Sequence, residues 1–197
     1  MTVCILGAGA FGTALAIALS DTHHIRLWGR NAKTVAGMGA GRENTKLPGA
    51  VLGSNITVTS NAKAAVQGAD FILSAIPLQS TRATMADLVG HFEGQPLIGC
   101  SKGVDLATGL GGYSVLQACY PDGPVGLLTG PSFATDIARG LPTALTLAAD
   151  ASQAVNAWQS DLSTDTLRLY IPHDPIWAAL GGAPKNVMAI ACGVSRG

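Results

Sequence analysis

Charge is scarce in this chain: Asp, Glu, Lys and Arg make up 12% of its 197 residues, about half the usual share of roughly 25%. The 12 basic and 12 acidic residues cancel to a formal net charge of zero. No excess of either sign marks the chain as a nucleic-acid binder or as a protein drawn to an anionic membrane. With 48% hydrophobic residues, the sparse charge points to a surface covered by another body, either a second subunit (a homodimer) or a further domain, or else to one rich in Ala, Gly, Ser and Thr. Long apolar runs are missing too. None reaches the ~20 residues of a membrane span, so no membrane insertion is expected. The apolar stretch Ala14–Leu19 has no basic segment before it and follows three glycines, so it is not expected to be a secretory leader. The four cysteines, Cys4, Cys100, Cys119 and Cys192, form no C-x-x-C pair and sit among apolar or small residues. They read as buried, reduced thiols of a cytoplasmic protein, with no metal site. His23, His24, His91 and His173 have no ligand spacing, and no Ser/His/Asp set or carboxylate pair stands out. Repeats and low-complexity tracts are also absent.

What is present is a glycine turn in a telling place. Gly7-Ala8-Gly9-Ala10-Phe11-Gly12 follows the apolar run Val3–Leu6 and opens a helical pattern from Ala10 to Ser20. Glycine lets the chain turn sharply and lets its backbone approach a pyrophosphate; the third glycine brings helix and strand close, and the helix N-terminus then faces the phosphates. The plain alternative is a tight strand-to-helix turn with no ligand. Strand and helix patterns keep alternating. Strands are expected at Ile25–Trp28, Ile56–Thr59, Phe71–Ile76, Pro96–Cys100, Val125–Thr129, Ala144–Ala148 and Leu167–Ile171. Helices are expected from Asn31, from Asn61 to Val66, from Pro77 to about His91, over Gly111–Tyr120, from a Ser132 cap to Arg139, and over Ser152–Leu162. Such alternation predicts an α/β fold, a Rossmann-like, doubly wound, mostly parallel sheet with helices on both faces. Residues 1–172 form the dinucleotide-binding domain, and 173–197 begin a second, helical one.

Ligands of such sheets lie at the carboxyl ends of the strands. That rule gathers Gly7–Gly12, Arg30, Ile76-Pro77, Lys102 and Gly130-Pro131-Ser132 along one rim. Arg30 follows strand two, where an acidic residue would accept hydrogen bonds from a ribose 2′-hydroxyl. A guanidinium there can instead clamp a 2′-phosphate, which favours NADP over NAD; an arginine stacked on adenine would accept either. Lys102 follows an apolar strand at the rim, and the bland alternative is a solvated side chain. Ser132 is either a helix cap or, with free N–H groups at the helix start, a partner for a substrate oxygen. Lys185 follows Pro184 at an apolar helical stretch. Burial, the helix N-terminus and a second lysine nearby all push an ammonium pKa down from about 10.4, toward a group that exchanges protons. The alternative is a helix-start lysine pointing at water.

Several motifs together resemble the NAD(P)-dependent glycerol-3-phosphate dehydrogenases, bacterial type. They are Gly7–Gly12 with Thr13-Ala14, Leu27-Trp28-Gly29-Arg30, Leu47-Pro48-Gly49, Ser101-Lys102-Gly103, Gly130-Pro131-Ser132-Phe133-Ala134 and Lys185-Asn186-Val187, in family order along the chain. The resemblance implies reduction of dihydroxyacetone phosphate to sn-glycerol 3-phosphate, a phospholipid precursor. It implies Lys185 as proton donor and, in reverse, acceptor, with Lys102 between cofactor and substrate. It further implies Gly7, Gly9, Ala10, Phe11, Gly12, Arg30 and Ala134 as cofactor contacts and Gly130 and Ser132 as substrate contacts. Pro184 stands where the family usually has leucine. The family's later acidic partner and Arg-Asn pair are absent, so the resemblance implies a chain cut before most of the helical domain. Two other expectations follow: a module that binds NAD(P) without catalysis, and a related dehydrogenase acting on a hydroxy or keto acid.

Overall fold

The computed structural model describes residues 1–149 and 153–172. Lys185, Cys192 and the whole expected segment 173–197 lie outside the described residues.

The first strand, β1 (Thr2–Leu6), is buried along nearly its whole length. Its side chains alternate between two cores: Val3 and Ile5 join one cluster, Cys4 and Leu6 the other. A strand apolar at every position is what a sheet covered on both faces requires. Helix α1 (Ala10–Leu19) follows, with Leu15 and Leu19 buried in the first cluster. Its alanines, Ala14, Ala16 and Ala18, are also buried, so small side chains bring the helix close to the sheet. β2 (His24–Trp28), α2 (Ala32–Gly41), β3 (Ile56–Thr59) and α3 (Ala62–Val66) complete the first winding. Asn31 and Asn61 cap their helices as expected. Asn31 Oδ1 accepts the N–H of Thr34 at 3.0 Å, and Asn61 Oδ1 that of Ala64 at 3.1 Å, each satisfying an orphan donor of a first turn.

The second winding runs through β4 (Phe71–Ser74), α4 (Leu78–Leu88), β5 (Leu97–Gly99), α5 (Gly112–Cys119) and β6 (Val125–Thr129). A 3-10 turn at Val89–His91 ends α4. β4 stops at Ser74 rather than Ile76, so Ala75 to Pro77 leave the sheet. Met85 and Leu88 of α4 and Leu116 of α5 fill the second core. Then come α6 (Ala134–Ala138), β7 (Thr143–Ala149), α7 (Gln153–Leu162) and β8 (Leu167–Tyr170).

The eight strands form one sheet in the order β3-β2-β1-β4-β5-β6-β7-β8. Order reverses between β1 and β4, which pair in parallel from Val3 with Phe71 to Leu6 with Ser74. That is the point where such sheets open a crevice. The parallel pattern holds from β3 to β6 and then breaks. β7 runs antiparallel to β6, Thr129 facing Thr146, and β8 follows β7 in parallel. Between β6 and β7 lies the five-residue α6. α6 lies against α1 and buries Ile137 in the first core.

No helix among the described residues is long and apolar enough to cross a membrane. Cys4 and Cys100 are buried and free, and burial pushes both thiols up to about 12. They are therefore protonated and inert as nucleophiles. Cys119 is half-buried, its thiol also raised by desolvation.

Candidate functional site

The glycine turn sits at the switch point and its three glycines differ in kind. Gly7 has φ +121°, and a Cβ there would meet the carbonyl oxygen of Ala75 at 2.7 Å. A Cβ on Gly12 would lie 2.0 Å from the carbonyl oxygen of Gly7. These two are glycine because the turn is folded against its neighbours. Gly9 is different: a Cβ there would meet nothing within 4 Å, and its backbone is extended. It faces open space at the start of α1, where free N–H groups and the helix dipole favour an anion. A pyrophosphate approaching that backbone fits the turn as built.

The turn forms one wall of a cleft of about 700 Å³, within the size range of small-molecule sites. Gly7, Gly9, Arg30 and Lys102, all expected at the rim, line it together with Ala75, Ile76 and Pro77. Asn31 and Thr34 line it as well, so the N-terminus of α2 opens onto the same space. Lys46 lines it too. Its place in a loop between α2 and β3 follows no periodicity, and the only sequence signal was its position directly before Leu47-Pro48-Gly49. The lining holds Arg30, Lys46 and Lys102 and no carboxylate. Arg30 and Lys46 make no ion pair among the described residues. A chain of zero net charge thus places three cations on one cleft. Glu43, on the same loop as Lys46, is turned to the N–H of Gly49 at 2.8 Å.

Asn44 holds the turn from behind. It is fully buried. Its Nδ2 donates to the carbonyl oxygen of Ala8 at 3.2 Å and to Thr13 Oγ1 at 2.6 Å, and its Oδ1 accepts the N–H of Lys46 at 3.0 Å. One side chain thus joins the glycine turn, the first turn of α1 and the loop carrying Lys46. We expect Asn44→Leu to cost about 2 kcal/mol of stability, because buried acceptors lose their donor, and to weaken dinucleotide binding about tenfold by loosening the turn. Urea unfolding and a fluorescence titration measure the two; unchanged affinity would show that the loop does not set the turn.

The remaining expected site residues stand elsewhere. Ala10 and Phe11 are half-buried in the first turn of α1, against the first core. Ala134 begins α6 and also packs on that core. Gly130, Ser132 and Ala134 follow β6 and do not line the cleft. Gly130 lies against β7, where a Cβ would meet Leu145 Cδ2 at 3.0 Å, and its φ is +151°, so backbone and packing account for its glycine. Ser132 does not cap α6. Phe133 occupies the cap position without a side-chain hydrogen bond, while Ser132 Oγ is buried with no partner among the described residues. The expected cap fails because the chain stays extended through Phe133, so the helix starts one residue later than a Ser132 cap requires. A second cleft, of about 800 Å³, lies between Asp21-Thr22 and the α7–β8 turn and contains none of the expected residues.

The doubly wound, mostly parallel sheet, with a glycine turn at its switch point and a cation-lined crevice there, is a Rossmann-like α/β fold. Comparison with known proteins narrows the class. Residues 2–155 match the family model of the NAD-dependent glycerol-3-phosphate dehydrogenase N-terminus, and the chain belongs to that family. It is 50% identical over 198 residues to a glycerol-3-phosphate dehydrogenase [NAD(P)+] of Roseobacter denitrificans, covering 100% of this chain and 62% of the relative. It is 48% identical to one of a Ruegeria species over the same shares of both chains. The crystal structure of glycerol-3-phosphate dehydrogenase from Coxiella burnetii superposes with a TM-score of 0.89 at 30% identity, over 99% of this chain and 61% of that one. The chain therefore spans about six-tenths of the length of the curated relatives it matches.

Proposed function

We propose that the chain is the cofactor-binding part of an enzyme that reduces dihydroxyacetone phosphate to sn-glycerol 3-phosphate, with NADPH preferred to NADH. The observation that carries the reading is the cleft: a glycine turn at the switch point, with Arg30, Lys46 and Lys102 in its lining and no carboxylate among them. A ribose 2′-phosphate adds about two negative charges near pH 7, and guanidinium groups bind phosphates bidentately. Bound with its pyrophosphate at Gly9, the nicotinamide supplies the hydride that reduces the carbonyl carbon.

The protein's part is electrostatic and protonic. The carbonyl oxygen gains charge as the hydride arrives, and a fixed cation in a water-poor cleft stabilises it. Lys102, two residues beyond buried Cys100 at the end of β5, is placed for that role. Lys185 delivers the proton that completes the alcohol, and takes it back in the reverse direction. Gly130 and Ser132 hold the substrate, and Ala134 touches the cofactor. The product is a head-group precursor of phospholipids. Free thiols at Cys4 and Cys100 suit the reducing cytoplasm.

The test is turnover of the whole protein with dihydroxyacetone phosphate and NADPH, beside a panel of keto acids. Dihydroxyacetone phosphate is expected to dominate, and Lys102→Met to lower kcat about 100-fold, the usual worth of one preorganised electrostatic contact. Preference for a keto acid, or full activity of the Lys102 variant, would overturn the assignment. The 197-residue chain alone is expected to bind NADPH with little or no turnover.

A further inference from the structure

The segment that follows Lys102 is fastened to α4 by two side chains one turn apart. Gln79 straddles Asp105. Its Nε2 donates to the carbonyl oxygen of Val104 at 2.8 Å, and its Oε1 accepts the N–H of Leu106 at 3.0 Å. This is the pairing that one strand residue offers another, supplied here by a side chain. Arg82 Nε then donates to Asp105 Oδ2 at 3.3 Å. The same oxygen accepts Thr108 Oγ1 at 2.6 Å. Behind these bonds the loop closes on itself, the N–H of Asp105 on Leu110 O at 2.8 Å and that of Gly109 on Asp105 O at 2.7 Å. The Thr108 hydroxyl and, after it, Arg82 hold the Asp105 carboxyl below its ordinary range, so this anchor stays ionised and in place at neutral pH.

Gln79 has a second neighbour. It lines the dinucleotide cleft together with Pro77, Leu78 and Lys102. The residue therefore stands where the wall of the cleft meets the loop carrying the ammonium. Its two bonds to the loop lie at solvent, where hydrogen bonds compete with water and add little to global stability. Their effect is on where the loop stands. A displacement of about 1 Å at a reacting group can lower a rate by about 100-fold.

We propose that Gln79 is a positioning residue for Lys102: by pinning Val104 and Leu106 to the first turn of α4, it fixes the ammonium relative to the cleft wall. The proposal rests on the reading of Lys102 as a site residue. Arg82 and Asp105 serve the same end from one turn further along.

A double-mutant cycle on the whole protein tests it, using Gln79→Leu, Lys102→Met and the pair. Gln79→Leu is expected to lower kcat about tenfold, an intermediate loss for imperfect orientation, with KM for NADPH and Tm unchanged. In the Lys102→Met background the same substitution is expected to have no further effect, because there is no ammonium left to position. Losses that multiply, or a fall in Tm that accounts for the rate, would overturn the proposal. A Lys102→Met variant with full activity would instead remove the reading on which it stands, and the proposal with it. Gln79→Glu keeps the acceptor for Leu106 and drops the donor to Val104. It is expected to give a smaller fall in kcat and serves in the cycle if the leucine variant does not fold.

Discussion

Gly9→Val is expected to leave the protein folded and to abolish its measurable affinity for reduced dinucleotide, whereas Gly12→Val is expected to prevent folding. The two glycines look equivalent in a Gly-x-Gly-x-x-Gly pattern and are physically opposite. At Gly9 a side chain would enter open space, and the extended backbone there accepts a β-branched residue without strain. The isopropyl group would occupy the room through which a pyrophosphate reaches the backbone N–H groups, raising Kd by an estimated ~100-fold or more, as for loss of a set of charge-assisted hydrogen bonds. At Gly12 the first added carbon would lie 2.0 Å from a carbonyl oxygen. Relief would require prying α1 away from β1, and overpacking of this severity exceeds the ~1–3 kcal/mol of an ordinary core misfit. Thermal unfolding and a nicotinamide fluorescence titration separate the two effects. A Gly9→Val protein that binds NADPH normally would show that the turn is not where the dinucleotide lies.

Arg30→Asp is expected to lower affinity for NADPH about 100-fold and affinity for NADH far less. A hydrogen bond to a charged group is worth about 1.5–3 kcal/mol, and the substitution also sets a carboxylate against a phosphate. Lys46→Glu is expected to act in the same direction, with a smaller effect, since an ammonium is a point charge without the planar fork of a guanidinium. Both losses should shrink as salt is raised, because the groups are exposed and screened. Equal losses for the two cofactors would remove the 2′-phosphate argument while leaving the fold and the glycine turn untouched.

Local features of this chain were legible in its sequence. The apolar run beginning at Phe71 announced a strand buried on both faces, Asn31 and Asn61 announced their helix starts, and the glycines after Leu6 announced the switch point. Each depends on a few neighbouring residues. The direction of β7 was not legible, because the pattern of Ala144–Ala148 is the same for either direction. The site divides in the same way. The places of Arg30 and Lys102 on the cleft were legible because each lies within three residues of a strand end, and strand ends share a rim. Asn44, Lys46 and Gln79 were not. Asn44 reaches Thr13 across 31 residues and Gln79 reaches Leu106 across 27, and no local periodicity encodes such contacts. Ser132 shows the converse hazard, since a side chain suited to a cap is not one unless the backbone turns at that residue.

Trp28, at the end of β2, is 8% exposed, donates its indole N–H to the carbonyl oxygen of Ser60 at 3.1 Å, and lines the cleft next to Arg30. A reduced nicotinamide absorbs where indole emits, so the floor of this crevice carries its own optical reporter. Excitation of the tryptophan should pass to a bound coenzyme and dim in proportion to occupancy. The molecule can therefore be titrated without a dye, and a Trp28→Phe variant isolates that signal from the indoles of Trp158 and Trp177.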